Sequence, residues 1–110
     1  MYYKVTARLK EGRGPELLRR IQDGSIASQK PDGSEIVAAM KRAVVSENGQ
    51  TEWSEVCYCS PPLAHERQTV LDRYFTDIES EVVDGYQQHA GSPFTDLLAK
   101  LTKQTSNIKD

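Results

Sequence analysis

The middle of the chain carries an arginine, a tryptophan and a glutamate that could together bind a small molecule. Asn48-Gly49 lies between two segments of alternating polarity, and this dipeptide is typical of a two-residue β-hairpin turn of type I′, in which both residues have a positive φ. With two residues in the turn, Arg42 is predicted to face Glu55, and Trp53 lies on the same face of the hairpin. Arg42 could bind an anion, Glu55 could orient the ligand or transfer a proton, and Trp53 could supply an aromatic wall.

The other positions on this predicted hairpin face are apolar. The same register gives the opposed pairs Val44 with Trp53, Met40 with Cys57 and Ala38 with Cys59. An opposed arginine and glutamate within such a face indicate a pocket. The alternative is that Arg42 and Glu55 form an ordinary cross-strand ion pair on a solvated face or an interface, where it contributes only about 0.2 to 1 kcal/mol.

Two cysteines and a histidine have the side-chain types that bind zinc. Structural zinc sites usually contain four clear ligands and a pair of cysteines separated by two or more residues, whereas Cys57 and Cys59 are separated by one. We therefore predict no metal and no other cofactor, and we interpret the cysteines as buried free thiols. A metal site formed by Cys57, Cys59 and His65 is the alternative.

The next predicted helix adds further polar groups. His65 and Arg67 are predicted to enter the site from this helix. His65 shares a face with Thr69, and Asp72 continues this face, so a histidine–carboxylate pair could act as a general base. A solvated helix face is the alternative. The loop of residues 25–34, which contains Asp32, is long for a small domain and is predicted to be a rim or lid of the site.

Hydrophobic periodicity and turn residues predict the elements that would position these side chains. Residues 2–10 alternate as a half-buried strand, and residues 15–23 form a helix. The remaining predicted elements are a hairpin of residues 40–47 with 50–59, a helix over 63–73, a strand over 75–83 and a helix that begins at Pro93 after a Ser92 cap. Residues 35–39 fit either a helix capped by Asp32 or the start of the hairpin.

The predicted order of elements, β-α-β-β-α-β followed by a C-terminal helix, gives an α+β fold class and resembles the ferredoxin-like arrangement. The resemblance covers residues 2–83 and includes no sequence motif. It implies an antiparallel sheet with both helices on one face. The other face, with apolar and aromatic side chains, would need a cover, which could be a second copy of the chain, a ligand or the C-terminal helix. We therefore predict a homodimer.

Length and composition limit the class of protein. The 110 residues suit one domain, predicted over residues 1–104, with a polar, frayed tail over residues 105–110. A net charge of -2 and the lack of a basic run interleaved with aromatic residues argue against nucleic-acid binding. No apolar run reaches the roughly 20 residues that a bilayer requires, and no signal sequence is recognisable, so we predict a cytoplasmic protein without membrane contact.

Two functional hypotheses follow from these patterns. The first is a small ligand-binding protein that holds a small anionic or aromatic molecule on the open face of the sheet, and a cofactor-free enzyme also fits it. Its predicted site residues are Arg42, Trp53, Glu55, Cys57, His65 and Arg67. The second is a non-catalytic homodimeric interaction subunit, in which the same face is a protein interface.

Overall fold

Within the described part of the chain, a five-stranded antiparallel sheet forms the centre of the protein. The computed structural model describes the backbone of residues 1–108 and the side chains of residues 1–104. The strands are β1 (Tyr2–Leu9), β2 (Val44–Val45), β3 (Thr51–Val56), β4 (Phe75–Val83) and β5 (Ser92–Pro93). They lie in the order β4-β1-β3-β2-β5, and every neighbouring pair is antiparallel. The predicted α+β class is confirmed.

Helical segments connect the strands and cover the core. They are α1 (Gly14–Gln22), α2 (Gly33–Arg42), α3 (Ala64–Glu66), a π-helical turn (Arg67–Leu71), α4 (Asp72–Tyr74) and α5 (Phe94–Ile108). The predicted helix over 63–73 corresponds to the continuous segment from α3 to α4, and the predicted strand over 75–83 to β4. The observed element order differs from the predicted one, because two helices connect β1 to β2 and the short strand β5 precedes α5.

The core lies between the helices and one face of β1 and β3. Tyr3, Val5 and Ala7 of β1 are buried, as the alternation of this strand predicts. Trp53 of β3 pairs with Val5 and is fully buried. Helical residues complete the same core, and these include Leu17, Ile21, Ile36, Met40, Val70 and Leu98.

The first half of the predicted hairpin is wrong. The segment that should begin its first strand belongs to α2, and β2 consists only of Val44–Val45. The helix is favoured because Ile36 and Met40, one helical turn apart, are both buried in the core. The alternative of a helix over 35–39 is therefore correct, although the Asp32 side chain makes no cap hydrogen bond.

The turn at Asn48-Gly49 has three loop residues rather than two. The Gly49 N–H donates to the Ser46 carbonyl at 3.0 Å. Gly49 has a φ of +85° and Asn48 does not have a positive φ, which describes a type I turn followed by a glycine bulge and not the expected type I′ turn. Val44 consequently pairs with Glu52, one residue away from the predicted register.

The exposed face of the sheet is polar, not aromatic. It presents Lys4 and Thr6 on β1 opposite Glu81 and Glu79 on β4. Trp53 lies on the other face, under the helices. The expected ligand site on an open aromatic face is therefore wrong, because the helices already cover the aromatic side chains. The same correction removes the reason given for a homodimer, which stays a prediction.

The start of the C-terminal helix also differs from the prediction. Ser92–Pro93 form β5 and pair with β2, so the serine extends the sheet instead of capping a helix. The helix α5 begins at Phe94, and both Phe94 and Leu98 are fully buried. The predicted tail is helical as far as Ile108, and residues 109–110 lie outside the described residues.

Candidate functional site

Arg42, predicted to face Glu55, lies at the C-terminal end of α2. Its Nη2 donates to the Ser54 carbonyl at 2.8 Å and to Glu35 Oε2 at 3.3 Å. Its guanidinium also lies over the ring of Tyr86, 4.4 Å from the centroid. The predicted pair is wrong because Arg42 is on a helix and bonds to Glu35, whereas Glu55 is buried in the core on β3. The positive charge of Arg42 is thus paired with the carboxylate of Glu35 within the protein.

The structure does bring Trp53 and Glu55 together. Trp53 Nε1 donates to Glu55 Oε2 at 2.5 Å, and the two residues are 0% and 1% exposed. Burial raises the pKa of Glu55, and hydrogen bonds from Glu66 and Trp53 offset only part of that effect. Glu55 Oε1 has no hydrogen-bond partner of normal geometry among the described residues.

Glu66, at the end of α3, is a fully buried carboxyl group. Neither of its oxygens accepts a hydrogen bond from an N–H group of the described residues. Burial raises the pKa of Glu66 far above its usual range, and Glu55 raises it further by hydrogen bonding and by its charge. The protonated form of the carboxyl group is therefore favoured in this environment. A proton on Glu66 lets this group donate a hydrogen bond to Glu55, whereas two ionised carboxylates would have no proton to share. The buried carboxyl pair (Glu55 and Glu66) therefore titrates as a unit.

Glu66 was not among the predicted site residues, although the sequence contains a signal for its burial. Leu63, Glu66 and Val70 recur at i, i+3 and i+7, which is the spacing of one helix face. Leu63 and Val70 are both 1% exposed. A carboxyl group within an apolar stripe differs from the solvated charges beside it and indicates a special role or environment.

A cavity of about 430 Å³ opens beside Glu66. It lies between the start of α2, the segment that follows β3, and α3, and its wall is mostly apolar. Its lining residues are Pro31, Asp32, Glu35, Val56, Cys57, Tyr58, Cys59 and Glu66. The volume falls within the range of roughly 300 to 1,000 Å³ that is usual for small-molecule sites. Of the six predicted ligand-binding residues, only Cys57 lines this cavity.

Asp32, in the loop that was predicted to be a rim, lines one side of this cavity. His65 Nδ1 lies 3.0 Å from Asp32 Oδ1, so the side chain of His65 connects the loop to α3 without lining the cavity itself. Arg67 is directed elsewhere, since its Nε donates to Asp72 Oδ1 at 3.0 Å on the surface. His65 therefore holds the rim, and the prediction that Arg67 enters the site is wrong.

Glu35 also lines the cavity, and its carboxylate is well supplied with donors. Glu35 Oε2 accepts the Val56 backbone N–H at 2.9 Å and the Tyr86 hydroxyl at 2.9 Å, in addition to Arg42. Burial, followed by the hydrogen bond to Glu35, raises the pKa of Tyr86, so this hydroxyl keeps its proton. Glu66 is thus the one carboxyl of the described cavity wall whose partner is another carboxyl group, that of Glu55.

Cys57 and Cys59 are free thiols in the cavity wall, and Cys57 is buried as predicted. The Cys59 N–H donates to Cys57 Sγ at 3.3 Å. Over residues 1–108, no group of three or more His, Cys, Asp or Glu side chains is placed to hold a metal ion. The alternative metal site of Cys57, Cys59 and His65 is therefore not formed in the described structure.

Comparisons with protein families, with curated proteins and with solved structures found no match to this chain. None of the helices in the described residues is both long enough and apolar enough to cross a membrane. The geometry of the cavity and of the buried carboxyl pair beside it is therefore the basis for inferring a function.

Proposed function

We propose that the protein binds a small molecule with an apolar or aromatic body in the cavity beside Glu66. The observation that carries this proposal is the mostly apolar cavity whose wall includes the fully buried Glu66, a carboxyl group that interacts with the carboxyl group of Glu55 and has no basic partner among the described residues. A buried carboxyl group without a basic partner is costly to stability, and a ligand that bonds to it would recover part of that free energy. An apolar side chain at this position would serve stability alone equally well or better.

The cavity does not favour the anionic ligand that was expected from the sequence. Asp32 and Glu35 line it together with Glu66, whereas no lysine or arginine of the described residues does. Arg42, the expected anion-binding residue, bonds to Glu35 and to the Ser54 carbonyl. The proposal therefore keeps the aromatic ligand and omits the anionic one.

A fragment screen by thermal shift tests this proposal. Aromatic and apolar fragments should raise the melting temperature of the parent protein. Val56→Phe, which enlarges a side chain of the cavity wall, should remove these shifts. Ser80→Phe, on exposed strand β4, is the matched control and should keep them. The proposal is wrong if no fragment shifts the parent, or if the Val56 variant retains every shift.

We also propose a ferredoxin-like arrangement for β1 to β4. Its support is the strand order β4-β1-β3-β2, with helical connections from β1 to β2 and from β3 to β4.

A cytoplasmic location is proposed on a different ground, since free thiols such as Cys57 and Cys59 persist in reducing compartments. Alkylation during lysis under denaturing conditions should label both thiols, because Cys57 is buried in the folded protein, and a disulfide at either one would contradict this location.

A homodimer is the second candidate, now on the basis of a sheet edge. The strand β4 lies at one edge, so one side of its backbone has no partner strand among the described residues. Val82 on this strand is 58% exposed. Antiparallel pairing of two β4 strands would cover both features. Light scattering should then give twice the chain mass of 12.3 kDa, and Val82→Lys should restore the monomer. A parent protein that is monomeric at micromolar concentration excludes this candidate.

A further inference from the structure

We infer that the ligand of the cavity is an organic ammonium ion, a protonated amine on an apolar or aromatic body, and that Glu66 binds its charged group. This inference rests on the proposed function, because it names the ligand class of the same cavity. Its ground is the fully buried Glu66 in the cavity wall, whose carboxyl group interacts with a second carboxyl group and not with a basic one, together with the distribution of counter-charges around it.

The basic side chains near the cavity are already bonded to its outer carboxylates. Arg42 Nη2 lies 3.3 Å from Glu35 Oε2, and His65 Nδ1 lies 3.0 Å from Asp32 Oδ1. Among the described residues, neither member of the buried carboxyl pair forms an ion pair. A cation that enters the cavity would therefore meet Glu66, the carboxyl group of the described cavity wall that has no counter-charge in the protein.

The charged and titratable groups that act on Glu66 from the neighbouring elements all oppose its ionisation. Burial is the largest effect, and Glu55 on β3, Cys57 after β3 and Asp32 before α2 each raise the pKa of Glu66 further. Glu35 on α2 acts in the same direction on Glu55. An ammonium ion reverses this balance, because a neighbouring positive charge favours the ionised carboxylate. Glu66 would release its proton to the solvent as the ligand binds.

A neutral ligand would interact less favourably with this site than an ammonium ion. A carbonyl group could accept the proton of Glu66, but it would leave any negative charge on the buried carboxyl pair without compensation. An ammonium group supplies both a positive charge and three N–H donors, whereas Glu55 Oε1 and both oxygens of Glu66 accept no hydrogen bond from an N–H group of the described residues. The chemistry of these oxygens thus favours the ammonium ion.

Matched ligands separate these classes. We would compare an amine, an alcohol and a carboxylate on each of three aromatic bodies, namely benzyl, phenethyl and indolylethyl. Calorimetry at pH 7 should show at least one amine binding about tenfold or more tightly than its alcohol. The dependence of the heat on the ionisation enthalpy of the buffer should reveal release of about one proton per amine bound. The affinity for the amine should rise about tenfold per pH unit from pH 6 to pH 8, and that for the alcohol should not.

Variants of the parent protein complete the test. Glu66→Gln should weaken amine binding about tenfold or more and leave alcohol binding unchanged, whereas Glu81→Gln on exposed β4 should change neither. Proton release is measured on the parent and needs no variant to fold. If amine and alcohol bind equally, or the amine binds without proton release, the ammonium inference is overturned and the proposed cavity stands. If no compound of the three sets binds the parent, both are overturned.

Discussion

Trp53 donates its indole N–H to Glu55 at 2.5 Å, although both side chains lie within the hydrophobic core. The two residues are two positions apart on β3, so they point to the same face of the sheet. The hydrogen bond fixes one oxygen of Glu55 and leaves the other, Oε1, free to interact with the neighbouring carboxyl group of Glu66. An aromatic core residue thereby orients half of the buried carboxyl pair.

A double-mutant cycle should measure this bond. Trp53→Phe removes the donor and some volume, so we expect it to lower the free energy of unfolding by about 2 to 4 kcal/mol. Glu55→Leu removes the carboxyl group that needs the donor. The double variant should be more stable than the sum of the single effects predicts, by about 1 to 2 kcal/mol. Urea unfolding of the four proteins gives the coupling, and additive effects would show that the bond adds nothing to stability.

Glu66 should make stability fall as the pH rises. Its pKa in the folded protein is raised above the ordinary value of 4.5, so above pH 4.5 the unfolded chain loses this proton while the folded protein keeps it. The raised pKa of Glu66 stabilises the folded protein fully below pH 4.5, the ordinary pKa of the group, and this stabilisation is lost as the pH rises. Between pH 4 and pH 8, Glu66→Gln should gain at least about 1.4 kcal/mol relative to the parent, which corresponds to one pKa unit.

Urea unfolding at several pH values checks the effect of Glu66. Glu81→Gln changes an exposed carboxylate on β4 and should follow the parent at every pH. Parallel pH profiles of the parent and Glu66→Gln would mean that Glu66 is ionised in the folded protein, against the effect of its burial.

The sequence pattern within a single segment predicted those parts of the fold that depend on that segment alone. The alternation of Tyr3, Val5 and Ala7 predicted both the strand β1 and its buried face, because side chains of a strand point alternately to its two faces. The shared face of Trp53 and Glu55 followed from the same rule. These features need only one segment of chain to be recognised.

The features that were mispredicted depend on packing between distant segments. The residues of α2 also fit a strand, and the contact of Ile36 and Met40 with the core decides for the helix. Asn48-Gly49 suits both a two-residue and a three-residue hairpin loop, and the lack of a long preceding strand removes the expected register. Glu66 meets Glu55 only after α3 has packed against β3, so sequence spacing alone could not pair them.

Two substitutions in the turn should distinguish its type. Gly49 has a φ of +85°, so Gly49→Ala should cost about 1 to 2 kcal/mol because an L-residue is strained there. Asn48→Ala should cost about 0.5 to 1 kcal/mol, since it loses two exposed bonds in which Asn48 Oδ1 accepts the Gln50 N–H at 3.1 Å and the Ser46 hydroxyl. Urea unfolding compares them. A larger cost for Asn48→Ala than for Gly49→Ala would favour a type I′ turn.

Gly33 is the point where the loop of residues 23–32 packs against the first turn of α2. A Cβ atom at Gly33 would collide with the backbone carbonyl oxygen of Ile26. Because backbone atoms cannot move aside as a flexible side chain can, the substitution must displace the loop. Asp32, the rim residue of the cavity, immediately precedes this glycine.

Gly33→Ala should therefore lower both stability and ligand binding. We expect a loss of about 1 to 3 kcal/mol in the free energy of unfolding, which is usual for overpacking. Fragments that raise the melting temperature of the parent should give smaller shifts with this variant, because the rim with Asp32 moves. Gly85→Ala is the matched control, since nothing lies within 4 Å of a Cβ atom at Gly85. Urea unfolding measures the first effect and thermal shift the second. If Gly33→Ala matches Gly85→Ala in both measurements, the loop does not pack against α2 in the way described, and Asp32 is not held at the rim by this contact.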